Sequence, residues 1–177
     1  MLYTFDGQTP LVGKESYVSE TAQVIGNVVI GDNCYIGHGA ILRGDYGRIE
    51  IGSGTAVEEG VIIHAPPDHT SRIGKRVTLG HGAIVHGKSI GDGAVIGMGT
   101  ILSILSEVQE GAIVGEGAVV PWGQVIPAKM VAVGNPAKVI REVSDQDTKR
   151  WDWGKQLYID LARRYLKIGM QAVMPQA

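Results

Sequence analysis

Residues 12–42 read VGKESYVSETAQVIGNVVIGDNCYIGHGAIL, and within them an aliphatic side chain returns at every sixth position: Val12, Val18, Val24, Ile30, Ile36 and Leu42. A period of six puts successive apolar residues on different faces of an α-helix, and it is not the period of two expected of an amphipathic hairpin. It fits a triangular prism. Each hexapeptide is then one short strand plus a corner, with the aliphatic side chain pointing inward. Three sides complete a coil, and coils stack at about 4.8 Å, the ordinary spacing of paired strands.

Working outward, the register resumes at Ile51, Val57 and Ile63 and again at Ile73, Leu79 and Val85. It then runs through Ile90, Ile96, Leu102, Val108, Val114, Val120 and Ile126. A glycine often follows the aliphatic residue, as at Gly31, Gly52, Gly74 and Gly91. Glycine supplies 26 of 177 residues and phenylalanine only one, which suits frequent sharp turns around a narrow core without bulky rings. The expectation is an all-β solenoid of six to seven triangular coils over residues 1–143. At Ser144 the pattern changes: SDQDTKRWDWGKQLYIDLARRYLKIGM (144–170) opens with an N-cap serine and acidic residues, and Tyr158, Leu161, Tyr165 and Ile168 follow helical spacing. Residues 144–170 are expected to form a helix on the outside of the prism, with Gly154 permitting a break, and residues 171–177 a loose tail.

Totals narrow the function classes. A net charge of -2 without a basic stripe gives no field for nucleic acid. No apolar run approaches the roughly 20 residues of a membrane span. The start, MLYTFDGQTP, lacks a secretory pattern, and the single cysteine, Cys34, excludes an internal disulfide framework. Cys34 reads as a small buried hydrophobe, and a cytoplasmic protein is expected.

The register also places histidines. Leu42 to Ile63 is three steps and Ile63 to Val85 three more, so the following residues, Arg43, His64 and His86, share one corner on successive coils. The longer stretch APPDHTS (65–71) bulges beside that corner. Imidazoles one strand spacing apart can share a metal at bonds near 2.1 Å. His81 lies two residues after Leu79, one prism side away, out of easy reach within one chain. In a threefold homotrimer of parallel prisms, the His64 and His86 corner of one copy can face His81 of the next, giving three shared sites. Three nitrogen ligands leave an open position for water, as in catalytic zinc sites, where the water pKa falls toward about 7. Zn2+ is the expected metal, with Fe2+ or Co2+ also suited to imidazole. His38, in the His81 column, and His69, in the loop, are expected to make local hydrogen bonds, His69 also being placed to move protons.

RGD at 43–45, VEEGVIIH ending at His64 and GHGAIVHG around His81 and His86 resemble the γ-class carbonic anhydrases and their relatives, over roughly residues 8–143. RGDYGRI and GNPAKVIREVSDQD are most similar to the carnitine- or phenylacetate-associated subgroup. The resemblance implies a left-handed β-helix, His64 and His86 from one chain with His81 from the next, an Arg43–Asp45 pair across the trimer interface, and a site-facing Tyr158. Three positions depart from it. Ala56 and Glu58 stand where the family has Asn and Gln, and Tyr46 stands where the best-studied anhydrase has a carboxylate. Glu58 shares a prism side with His81, one coil from Gly80, so it should look toward the metal, to orient bound hydroxide or act as general base. The acidic loop that carries the proton in that enzyme is shortened, leaving Asp68 or His69 to replace it.

The leading expectation is metal-bound hydroxide attacking CO2 to give bicarbonate, with Glu58 and Tyr158 positioning substrate and Arg43 and Asp45 supporting the site. An acyl-CoA thioester hydrolase, a metal-free hexapeptide acyltransferase and a non-catalytic metal-stapled trimer are the alternatives, and the fold alone separates none of them.

Overall fold

The computed structural model describes residues 1–173, so most of the expected tail lies at or beyond its end, with residues 174–177 outside the described residues. The chain winds as a left-handed parallel β-helix of about 7 turns with one helix at its C-terminal end. Pairing between successive coils is parallel and follows the sequence count. One column stacks Val12, Ile30, Ile51, Ile73, Ile90, Val108 and Ile126. A second stacks Val18, Ile36, Val57, Leu79, Ile96 and Val114, extended by Ala132. The third stacks Val24, Leu42, Ile63, Val85, Leu102 and Val120. All but the first-coil residues Val12 and Val18 are buried, and with small corner residues such as Ala40, Ala83 and Ala118 they form one continuous core. Cys34 lies within it.

Glycine after the inward aliphatic is a matter of space. A Cβ on Gly52 would stand 2.6 Å from the backbone of Gly74 and Lys75 on the next coil, closer than any side chain tolerates. The second glycine of many corners answers to conformation, as Gly82 at φ 69° illustrates.

Three details extend the six-residue rule. Leu2–Tyr3 pairs with Val24–Ile25 and adds a rung ahead of Val24. The nine residues from Leu42 to Ile51 do not interrupt pairing: Ile41–Ile51 is one strand that bends round the corner beside Gln23–Ile30, with an irregularity between Gly26 and Val28. At the far end Lys138–Glu142 runs antiparallel to Met130–Val133 and covers the terminal edge of the second column's sheet.

Ser144 caps the helix Asp145–Ile168: its hydroxyl accepts from the Asp147 N–H while Asp147 accepts from the Ser144 N–H. The helix passes through Gly154 without a break. It buries Lys155, Ile159 and Ala162 and packs Tyr158, Leu161 and Tyr165 against Tyr35 and Ala56. Ile168, expected on the same stripe, is exposed: the helix packs chiefly on the strands Tyr17–Val18, Tyr35–Ile36 and Ala56–Val57, and its last residue finds no cover there. Among the described residues no helix is long and apolar enough to cross a membrane.

The prism thus shows three unlike faces. The face of the second column is covered by the helix, and its outward residues Tyr35, Ala56, Thr78 and Val95 are buried. The face of the first column carries an ion-pair ladder: Arg48–Glu50 at 2.7 Å, Arg72–Glu50 at 3.4 Å and Lys88–Glu107 at 2.9 Å. The face of the third column presents Ile41, Ile62, Ile84, Ile101 and Val119 in one paired row, and Ile62, Ile84 and Ile101 are each more than a third exposed.

Candidate metal centre

The two edges of this isoleucine face hold the histidines. On the far edge Arg43 pairs in register with His64, and His86 follows on the next coil. The facing ring nitrogens, His64 Nδ1 and His86 Nε2, are 2.9 Å apart. Burial, then the neighbouring His64 and Arg43, lowers the His86 pKa from its ordinary value, favouring the neutral ring a metal requires. Asp45 Oδ1 lies 3.3 Å from His64 Nε2, and Asp45 Oδ2 lies 3.6 Å from Arg43 Nε. The Arg43 guanidinium rests 3.0 and 3.1 Å from the two His64 nitrogens. Within one chain Arg43 and Asp45 approach each other at His64, where the bent strand Ile41–Ile51 brings both.

The near edge holds His81, Glu58 and Tyr158. Glu58 Oε2 accepts from the His81 backbone N–H at 3.2 Å and stands 3.1 Å from His81 Nε2. Burial pushes the Glu58 carboxyl above its ordinary value, while His81 and a hydrogen bond from the Tyr158 hydroxyl pull the other way. Tyr158, half-buried on the helix, is raised by burial and by this same carboxylate, so its hydroxyl stays protonated as a donor.

Glu59 is the site residue that the motif comparison overlooks. Its Oε2 is 2.8 Å from His81 Nδ1, and the Tyr35 hydroxyl donates to its Oε1 at 2.6 Å. Burial raises the Glu59 carboxyl, but the bonds from Tyr35 and from its own N–H, with His81 nearby, outweigh that and lower it. A carboxylate on the second ring nitrogen orients a ligating histidine and raises its basicity. The signal was present: the register that places His38 in the His81 column places Glu59 between them. His38 itself bonds Ser19 Oγ at 2.6 Å and the Tyr165 hydroxyl at 3.3 Å, the local role expected.

Within one chain the two edges do not converge. Among the described residues no three His, Cys, Asp or Glu side chains form a metal-holding group. The loop 65–71 folds beside the far edge, where His69 Nδ1 donates to the Pro67 carbonyl at 2.7 Å. That leaves Nε2 as the free acceptor. His69 lines an open polar cavity of about 370 Å3 with Asp45, Tyr46, Arg48 and Asn27. A hollow of about 600 Å3 follows the glycine corners of the ion-pair face, and no histidine lines it.

Comparison with known proteins gives the lineage. A model of bacterial transferase hexapeptide repeats matches residues 9–44, and one of the succinyl-transferase hexapeptide repeat matches 27–65 and 71–103. The carnitine operon protein CaiE of Salmonella agona is 35% identical over 173 residues, covering 98% of this chain and 87% of that protein. The CaiE protein of a Proteus species is 34% identical, covering 92% and 83%. A hexapeptide transferase family protein from Anaplasma phagocytophilum superposes with a TM-score of 0.89 at 31% identity, covering 93% of this chain and 98% of that one. A Bacillus cereus protein provisionally named an acetyltransferase gives 0.92 at 30%, covering 95% and 98%. The chain therefore belongs to the hexapeptide-repeat left-handed β-helix family, in the group of the carnitine operon protein CaiE.

Proposed function

We propose that the protein is a metal-dependent hydratase of carbonic anhydrase type, converting CO2 and water to bicarbonate and a proton at sites shared between the copies of a homotrimer. One observation carries this reading: two complementary, incomplete sets of candidate ligands flank an apolar face that none of the described residues covers. A ring that joins the far edge of each copy to the near edge of the next closes by threefold rotation and buries the isoleucine row. Neither the ion-paired face nor the helix-covered face offers such a surface.

The residues suit a divalent cation such as Zn2+, Fe2+ or Co2+. Donors about 2.1 Å from one ion stand about 3.0 Å apart at a right angle and about 3.4 Å apart at the tetrahedral angle. The His64–His86 spacing of 2.9 Å needs only slight opening. Arg43, whose side chain is 46% exposed, has room to swing away from His64 toward Asp45. His64 and His86 would hold the ion from one copy and His81 from its neighbour, with Glu59 fixing the His81 ring. Bound there, the cation would supply the Lewis acidity that makes water nucleophilic near neutral pH. Glu58 and Tyr158 face the same point from the near edge. The isoleucine row beside it would give an apolar surface for CO2, and the His69 Nε2 acceptor in the neighbouring polar cavity would receive the proton.

The test is stopped-flow CO2 hydration by protein purified without oxygen and carrying one metal per chain, beside His81→Ala. Hydration abolished in that variant supports the assignment. Absence of hydration in the fully loaded protein rejects it. Hydrolysis of an acyl thioester is the second reading. The cavity beside Asp45, larger than CO2 requires, and the transferase names of the similar proteins favour it, and thiol release from acyl-CoA by the same preparation would put it first.

A further inference from the structure

Glu58 is where this chain offers more than three imidazoles. Its carboxylate is buried, the residue being 5% exposed, and no lysine or arginine pairs with it among the described residues. Its polar contacts are the His81 backbone N–H, His81 Nε2 and the Tyr158 hydroxyl. An acid held so far from water without a cation is costly unless one arrives. Oε2 and His81 Nε2 lie 3.1 Å apart, within the span of about 3.0 to 3.4 Å for two donors on one ion. The backbone bond from His81 N–H fixes that oxygen, while Glu59 holds the ring from its other nitrogen.

We infer that Glu58 is itself a metal ligand, so that the shared centre takes three imidazoles and one carboxylate and rests closed. This builds on the shared-site reading above. His81 and Glu58 then act as a two-donor edge from one copy, facing the His64 and His86 edge of the next. Tyr158 is a positioning residue that steadies the carboxylate. Hard oxygen beside three nitrogens keeps the site suited to Zn2+, Fe2+ or Co2+. It also means that water reaches the ion only by adding to the four donors or by displacing Glu58.

The experiment uses full-length protein loaded with Co2+, whose visible spectrum reports its ligands, titrated with azide as a small anionic ligand. The wild-type spectrum should not move at azide concentrations that saturate Glu58→Ala, in which the vacated position binds the anion. Glu58→Gln, which keeps the Tyr158 and His81 contacts, should bind Co2+ at least tenfold more weakly, by chelator competition. An azide response in the wild type matching that of Glu58→Ala, or none in either, overturns the ligand role of Glu58. Failure of the shared centre itself looks different: Co2+ then does not bind at one per chain, or His81→Ala binds it as tightly as the wild type.

Discussion

Ile84→Asp should dissolve the proposed trimer while leaving the solenoid intact. Ile84 sits mid-row on the apolar face, paired with Ile62 and Ile101, and is 38% exposed in the single chain. That leaves about 70 Å2 of side chain for a neighbour to cover, or roughly 1.8 kcal/mol at about 25 cal/mol per Å2. An aspartate there loses this and adds the desolvation of a carboxylate without a partner, at least about 2 kcal/mol more. The sum, about 4 kcal/mol per contact, weakens each interface roughly a thousandfold, and a closed ring contains three of them. Sedimentation velocity across a concentration series reads the result, with circular dichroism to verify the fold. The inward neighbours Ala83 and Val85 carry the core, so the variant should remain a folded monomer. Leu11→Asp, on the ion-paired face, should stay trimeric. A trimer surviving Ile84→Asp, equal dissociation by Leu11→Asp, or a monomeric wild type would each refute the reasoning.

Three further outcomes follow from the same structure. Glu59→Ala should weaken metal binding by roughly 10- to 100-fold without changing the mass of the assembly, measured by competition with a coloured chelator. Leu79→Ala, at a fully buried position of the second column, should lower stability by about 2–5 kcal/mol, read from the urea midpoint. Lys155 should show itself through pH. Burial lowers its pKa in the folded chain below the ordinary 10.5, against a partial rescue by Asp152, while Nζ donates to the Gly93 carbonyl at 2.8 Å. The unfolded chain then holds the proton more tightly, so the penalty is complete below the folded pKa and fades as pH rises through it toward 10.5. The wild type should gain on Lys155→Met between pH 7 and pH 10 in urea denaturation, and a constant difference would contradict this.

The columns were legible in the sequence because one physical rule, an inward aliphatic at each side of a narrow prism, repeats without exception. Every aliphatic position counted from Val12 to Ile126 falls in its expected column. The stacking of Arg43, His64 and His86 follows from the same count. What escaped it has no period. The strand Leu2–Tyr3 is too short to announce itself, and the bend through Arg43–Arg48 reads as a gap because nine residues replace six. The antiparallel return of Lys138–Glu142 answers to a free strand edge rather than to any repeat. Ile168 shares the helical stripe yet stays exposed, since spacing says which residues share a stripe but not where the surface beneath it ends. Tyr17, Tyr35 and Tyr165 were not connected for a similar reason. Tyr17 and Tyr165 stack with centroids 4.5 Å apart across 148 positions, a contact decided by where the helix docks.

The division of the prism into three faces ties the site to assembly. A solenoid repeats its inward residues but leaves each outward row free to vary, so chemistry that needs several side chains must use rows on more than one side. Here the proposed ligands sit at the two edges of one face, and among the described residues they form no metal-holding group within one chain. In the proposed ring a second copy would remove the separation without any change in fold, because edges that are apart in one chain become neighbours. The isoleucine row between them would then serve both purposes: driving the association and excluding water from the place where the two edges meet. On this argument a variant that loses the apolar face loses the metal with it, even with His64, His81, His86 and Glu58 intact. Ile84→Asp should therefore bind less than one Co2+ per chain under conditions where Leu11→Asp binds one.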